Sequence, residues 1–183
     1  MKHLIGNLLI SPPSIDYGFF QKSVILLTED HSGGNVGVVL NKTSKVSLNE
    51  FAKHNGVILD VPGPVHIGGP VNPKALTMIH TNDWACSNTM RINDLFSISS
   101  SPDIFNYLAK GYCPEHWRIF VGLCKWTPGQ LSKEVNGLPP YEHKSSWLTA
   151  TADLDIVFET DADDQWSESI EKSGSEFAQN LFE

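Results

Sequence analysis

Ser23-Val24-Ile25-Leu26-Leu27-Thr28, the turn cluster Asp30-His31-Ser32-Gly33-Gly34, and Val36-Gly37-Val38-Val39-Leu40-Asn41 decide the fold class. Two apolar, β-branched runs around a glycine-containing loop read as a hairpin of buried strands. Gly37 inside the second run marks a bulge or the close approach of another backbone. Working outward, Leu4–Ile10 is a short apolar run stopped by Pro12-Pro13, and Val65–Ile67 enters a Gly68-Gly69-Pro70 turn. Ala75–His80, Trp117–Cys124, Trp147–Ala150 and Leu154–Phe158 read as further strands, the second of them central.

Helices fall between the strands and are short. Ser47-Leu48-Asn49-Glu50 fits a capping box, in which the serine hydroxyl accepts from the third helical amide and the glutamate returns to the cap amide. That helix ends near Gly56. Ser101-Pro102 opens a second, with Ile104, Phe105 and Leu108 on one face and Gly111 as its stop. Thr127-Pro128-Gly129-Gln130 repeats the cap logic with proline at the first helical position; Leu131 and Val135 face inward and Gly137 closes the turn. Asp163 or Asp164 caps a last amphipathic helix carrying Trp166 and Ile170, ended by Gly174 and followed by a frayed turn. Strands and short helices alternate irregularly, which predicts an α+β class. Residues 1–183 read as a single domain with an acidic helical segment from about residue 160, and Lys133–Lys144 as a mobile loop.

The 183 residues are 40% hydrophobic and carry 13 Lys and Arg against 21 Asp and Glu, a formal charge of −8. The charge is uneven. From Ala152 to Glu183 there are ten acids and one base, so that segment holds −9 and the preceding body +1. A polyanion is repelled by the tail and not attracted by the body, which argues against direct nucleic-acid binding. No stretch reaches the roughly 18 apolar residues of a membrane span, and the N-terminus has no secretory apolar region. Cys86, Cys113 and Cys124 are odd in number and widely spaced, which suits free thiols in a reducing cytoplasm.

Known chemical motifs are incomplete. Gly63 to Gly68 has the glycine spacing of a phosphate loop, but Gly69-Pro70 follow where lysine and a hydroxyl are needed. No G-x-S-x-G elbow occurs. Cys86 lies near His80 and Asp83 in sequence, a thiol, imidazole and carboxylate whose meeting in space the sequence does not establish. Cys113-Pro114-Glu115-His116 is half of a zinc site with no second half. From Asp161, a calcium loop would put Trp166 where glycine belongs and Lys172 where glutamate belongs. No catalytic set, cofactor or metal is expected.

Taken in order, several segments resemble the YqgE/AlgH family of bacterial proteins. They are Gly6-Asn7-Leu8-Leu9-Ile10-Ser11-Pro12, Phe19, Ser23–Leu27, Gly37–Lys42, Gly68-Gly69-Pro70-Val71, Val121–Trp126, Pro128–Leu131 with Glu134, Trp147, and Val157-Phe158. Two positions depart: Lys125 stands where the family has glycine before the tryptophan, and Lys42-Thr43 stand for Arg-Pro. The resemblance implies a bifurcated, mostly antiparallel sheet, part of it curled into a small barrel, with peripheral helices. The expected binding surface is where Asn41, Lys42, Gly68, Gly69, Pro70 and Trp126 converge, if the loops after three strands share one end of the sheet. Equally, Asn41 and the glycines build tight turns. The functional expectation is a cytoplasmic, non-enzymatic binding or regulatory domain acting on a protein partner or small ligand. The alternatives are an enzyme on a small polar metabolite, using Cys86 or a histidine, and a transcriptional regulator touching DNA.

Overall fold

The computed structural model describes residues 4–141 and 146–181. The hairpin that opened the reading is present: β2 (Val24–His31) pairs antiparallel with β3 (Gly34–Val39). β1 (Asn7–Ile10) lies on the other side of β2 and is itself flanked by β10 (Leu148–Thr151). The second wing is built from β6 (Val71–Thr81), β8 (Phe96–Ser99) and β7 (Thr89–Arg91). A small pair, β4 (Thr43–Ser47) and β5 (Pro64–Ile67), completes ten strands.

All of this meets on β9 (Trp117–Trp126). Its first half pairs antiparallel with β6 on one edge and parallel with β5 on the other, and its last residues pair with β3. Gly122, between the halves, has φ +72, a left-handed conformation that L side chains rarely adopt. It resets the alternation of the strand. Phe120 faces the cluster that contains Leu8, Leu26, Ile79 and Phe96, whereas Cys124 and Trp126 face the opposite cluster with Leu9, Ile25 and Leu27. The sheet forks there.

One face of seven of these strands buries into the same core: Leu8 and Ile10, Val24 and Leu26, Val38, Ile79, Phe96 and Ile98, Phe120, and Ala150. A sheet whose one face wraps a single core must curl, and the result is a half-barrel. Three peripheral helices cover the outside or the open end. Helix α1 (Leu48–His54) and α2 (Ile104–Ala109) lie over Met78 and Ile119, and α4 (Gln165–Asn180) packs Trp166 and Ile170 against the half-barrel core. The fold is therefore α+β with a mostly antiparallel, bifurcated sheet. No helix is long and apolar enough to cross a membrane among the described residues.

The capping box at Ser47 is complete, with Ser47 Oγ accepting from Glu50 N at 3.2 Å and Glu50 Oε2 accepting from Ser47 N at 3.0 Å. Four expectations need correction. Helix α2 starts at Ile104 with Asp103 in the cap position and no side-chain cap bond, so Pro102 is not its first residue. Leu154–Phe158 is not a strand; Asp155–Glu159 is a π-helical turn. Ile156 and Val157 are both buried there. Asp153 Oδ1 accepts from Ile156 N to start the turn, and Arg118 Nη2 donates to the carbonyls of Phe158 (2.8 Å) and Thr160 (3.1 Å) to end it. Helix α3 (Gln130–Val135) starts after Pro128 rather than at it, because Gly129 takes a left-handed conformation; only the Gln130 half of the box forms, accepting from Thr127 N. Gly174 does not end α4, which continues to Asn180, tied by Ser173 to the carbonyl of Thr149 and by Glu176 to the amide of Thr151. The start of the expected loop Lys133–Lys144 belongs to α3, and residues 142–145 of it lie outside the described residues.

Candidate functional site: an aromatic cleft beside the fork

Of the six residues expected at the binding surface, Pro70 and Trp126 line one cleft, and the others do different things. Asn41 is a brace: its Oδ1 accepts from Val24 N at 2.9 Å and its Nδ2 donates to Lys22 O at 2.7 Å. It thus holds the turn in which Lys22 adopts a φ of +49. Lys42 donates from Nζ to Gln21 O at 3.0 Å and sits 5.8 Å from the centre of the Phe19 ring; partial burial lowers its pKa. Gly68 and Gly69 meet the fork. A Cβ on Gly69 would lie 2.2 Å from the carbonyl of Leu123, and one on Gly68 would lie 2.5 Å from that of Gly122. No side chain fits, so these glycines answer a backbone crossing. Pro70 and Trp126 line a cleft.

That cleft has a volume of about 640 Å³. Its outer wall is the β1–β2 loop with Tyr17, Phe19 and Phe20; its inner wall is Val71, Cys124, Trp126 and Trp147; α3 supplies Gln130 and Glu134. Tyr17 is 81% exposed, while Trp126 and Trp147 are 4% and 9% exposed. The rings are set edge to face: Phe19 on Phe20 at 5.2 Å, Phe20 on Trp147 at 5.8 Å, Trp126 on Trp147 at 6.5 Å. Glu134 fixes the two indoles. Its Oε2 accepts from Trp126 Nε1 and Trp147 Nε1, each at 3.0 Å, and its Oε1 accepts from Gln130 Nε2 at 2.9 Å. One carboxylate therefore joins β9, α3 and the segment leading into β10. Cys124 at the base is buried, and burial pushes its thiol up to about 12, so it stays protonated and acts as a small apolar wall.

Sequence reasoning missed Tyr17, Phe20, Gln130, Glu134 and Trp147 as parts of this site. The signals available were the adjacent aromatics of Phe19-Phe20 in a loop and the i,i+4 spacing of Gln130 and Glu134.

The sequence pattern of the AlgH-like family matches residues 8–178. The chain belongs to the AlgH-like family. It is 34% identical over 166 residues to a UPF0301 protein of Marinomonas sp. (strain MWYL1), covering 88% of this chain and 85% of the relative. It is 30% identical to a UPF0301 protein of Parabacteroides distasonis, covering 94% and 84%. The solution structure of AlgH from Pseudomonas aeruginosa superposes with a TM-score of 0.75 at 25% identity, covering 94% of this chain and 90% of that one. A crystal structure of a Corynebacterium diphtheriae protein has the same fold, with a TM-score of 0.71 at 22% identity and coverage of 92% and 86%. In this AlgH-like chain Lys125, where glycine is usual for the family, stands in a regular strand paired with Val36, with no positive φ.

Two further constellations lie away from the aromatic cleft. A polar cleft of about 540 Å³ is lined by His66, His116, Arg118, Phe158, Glu159 and Asp161, among others. His66 is 7% exposed and donates from Nδ1 to Leu40 O; burial, and then the Arg118 charge, lower its pKa to about 4, so it is neutral. His116 Nδ1 lies 3.0 Å from Glu159 Oε1. The second is a chain of hydroxyls. His80 is fully buried and its Nδ1 donates to Thr81 O, so Nε2 accepts from Ser99 Oγ at 2.8 Å. Ser99 in turn meets Thr89 Oγ1 at 2.7 Å, and Thr89 Oγ1 lies 3.5 Å from Cys86 Sγ. Thus His80 and Cys86 are linked through two hydroxyls, while Asp83 instead binds Thr81 Oγ1 and Glu115 N. Among the described residues no three His, Cys, Asp or Glu side chains are grouped to hold a metal ion.

Proposed function

We propose that this AlgH-like protein is a cytoplasmic, non-enzymatic binding domain and that the aromatic cleft is where it engages its ligand. The observation that carries the reading is the cleft itself. Its volume of about 640 Å³ suits a small ligand or an inserted side chain, its walls are mainly apolar, and its one carboxylate is spent on holding two indoles in place. Polar groups that only fix wall geometry suit recognition better than turnover. A fragment screen read by ¹H–¹⁵N NMR tests this. Bound fragments are expected to shift the indole signals of Trp126 and Trp147 and the amides of Phe19 and Phe20. A set of hits confined to the polar cleft around Arg118 would refute it.

A second reading, thiol chemistry on a small polar metabolite, draws on the Cys86–Thr89–Ser99–His80 chain, in which Thr89 donates to the sulfur and two hydroxyls connect it to a neutral imidazole. Its test is the rate of Cys86 alkylation in Ser99→Ala: an unchanged rate removes the connection. Direct DNA contact is the reading that charge opposes, because the acids concentrate beyond residue 152.

A further inference from the structure

We infer that the aromatic cleft selects a small cation bearing an alkylated ammonium group; this rests on reading the cleft as the binding site. Five rings line it: Tyr17, Phe19, Phe20, Trp126 and Trp147. Ring faces carry negative quadrupole charge and attract cations, and weakly hydrated alkylammonium ions gain most from such walls. The two tryptophans turn their N–H edges toward Glu134 and are buried at the back of the cleft, so the ring surface open to a ligand comes mainly from exposed Tyr17 and half-buried Phe19 and Phe20.

Glu134 adds a formal charge. Its three donors, two indoles and an amide, are all neutral. Among the described residues no Lys, Arg or His forms an ion pair with it. The anion in the wall of this aromatic slot has no cation paired with it directly, and an ammonium ligand brings that countercharge. The chain supplies its own precedent next door: the Lys42 ammonium rests 5.8 Å from the centre of the Phe19 ring. Lys125 also borders the cleft, but it is exposed, so its charge is screened by water. The mainly apolar lining disfavours an ammonium that keeps its water shell, which is the reason for alkyl substitution.

The test is an NMR titration of the full chain with choline chloride and, separately, with 3,3-dimethylbutan-1-ol, its neutral isostere, against a sodium chloride blank. The Nε1–H signals of Trp126 and Trp147 are followed. Choline is expected to shift both signals saturably and to bind at least about tenfold more tightly than the alcohol. Glu134→Gln, which keeps an acceptor oxygen, is expected to cut the preference for choline over the alcohol about tenfold. Should that variant fail to fold, Phe19→Leu lies outside the Glu134 bonds and is expected to weaken choline about threefold. Equal binding of choline and alcohol overturns the cation inference and leaves the cleft as a binding site. No shift with choline also overturns it, and the fragment screen then decides the cleft on its own.

Discussion

Replacing Glu134 by leucine removes the acceptor shared by Trp126 and Trp147 while keeping an apolar side chain of similar size. Both indoles are more than nine-tenths buried, so neither N–H gains full access to water in exchange. An unsatisfied buried donor costs about 1–3 kcal/mol. The two bonds are only partly buried, so the lower half of that range applies, giving about 2–4 kcal/mol for the pair. Urea unfolding followed by near-ultraviolet circular dichroism reads this directly, since the two coupled indoles lie in one chiral cluster. With a slope of about 2 kcal/mol per molar, the midpoint falls by roughly 1–2 M. Glu134→Gln retains an oxygen for the indoles and should lose only about 1 kcal/mol. A leucine variant whose midpoint stays within about 0.2 M of the wild type would refute the reasoning, because the indoles would then not depend on this carboxylate.

Gly122→Ala forces a side chain into φ +72 and sets its Cβ 2.3 Å from Gly69 O, a backbone atom that cannot swing away; a loss of at least about 3 kcal/mol, near 10 °C in melting temperature, is expected, and a drop under about 2 °C contradicts the fork. His66 titrates near 4 folded and near 6.5 unfolded, so the unfolded state alone binds the proton between those values. Its contribution is complete above about pH 6.5 and is lost as pH falls toward 4, about 3 kcal/mol in all; unfolding at pH 7 and pH 5 should show a slope that His66→Gln reduces, and an unchanged slope removes the assignment. His80, also shifted down by burial, acts in the same direction. For the thiols, burial raises Cys86, but hydrogen bonds from Thr89, the Asn88 backbone, Ser99 and Ser101 outweigh it and the net shift is downward. Iodoacetamide at pH 7.5, read by mass spectrometry, should therefore label native Cys86 and spare Cys124 until denaturant is added; early labelling of Cys124 would contradict its burial.

What could be read in advance was what depends on neighbours in sequence. The hairpin around Asp30–Gly34 and the capping box at Ser47 are local, and both are present. Gly68-Gly69 and Gly122 were visible as glycines, but their reason is a crossing of two segments more than fifty residues apart. The π-helical turn escaped because Leu154–Phe158 is apolar enough for either state, and the choice is made by Asp153 before it and Arg118 across from it. Of the candidate site, Lys42, Pro70 and Trp126 were placed at or beside the cleft, whereas Glu134 was invisible as its organiser. A carboxylate on a short helix looks like any solvated acid until the fold brings two indoles to it.

The position of β9 also has a consequence for synthesis. β3, β5 and β6 leave the ribosome first, and each has an edge that only β9 can cover. Until residue 126 has emerged, both wings carry open strand edges, and β1 waits longer still for β10. Open edges are templates for pairing with other chains. The nascent protein thus passes through a vulnerable interval in which both wings wait for the same ten-residue strand, and the β1 edge stays open until β10 follows.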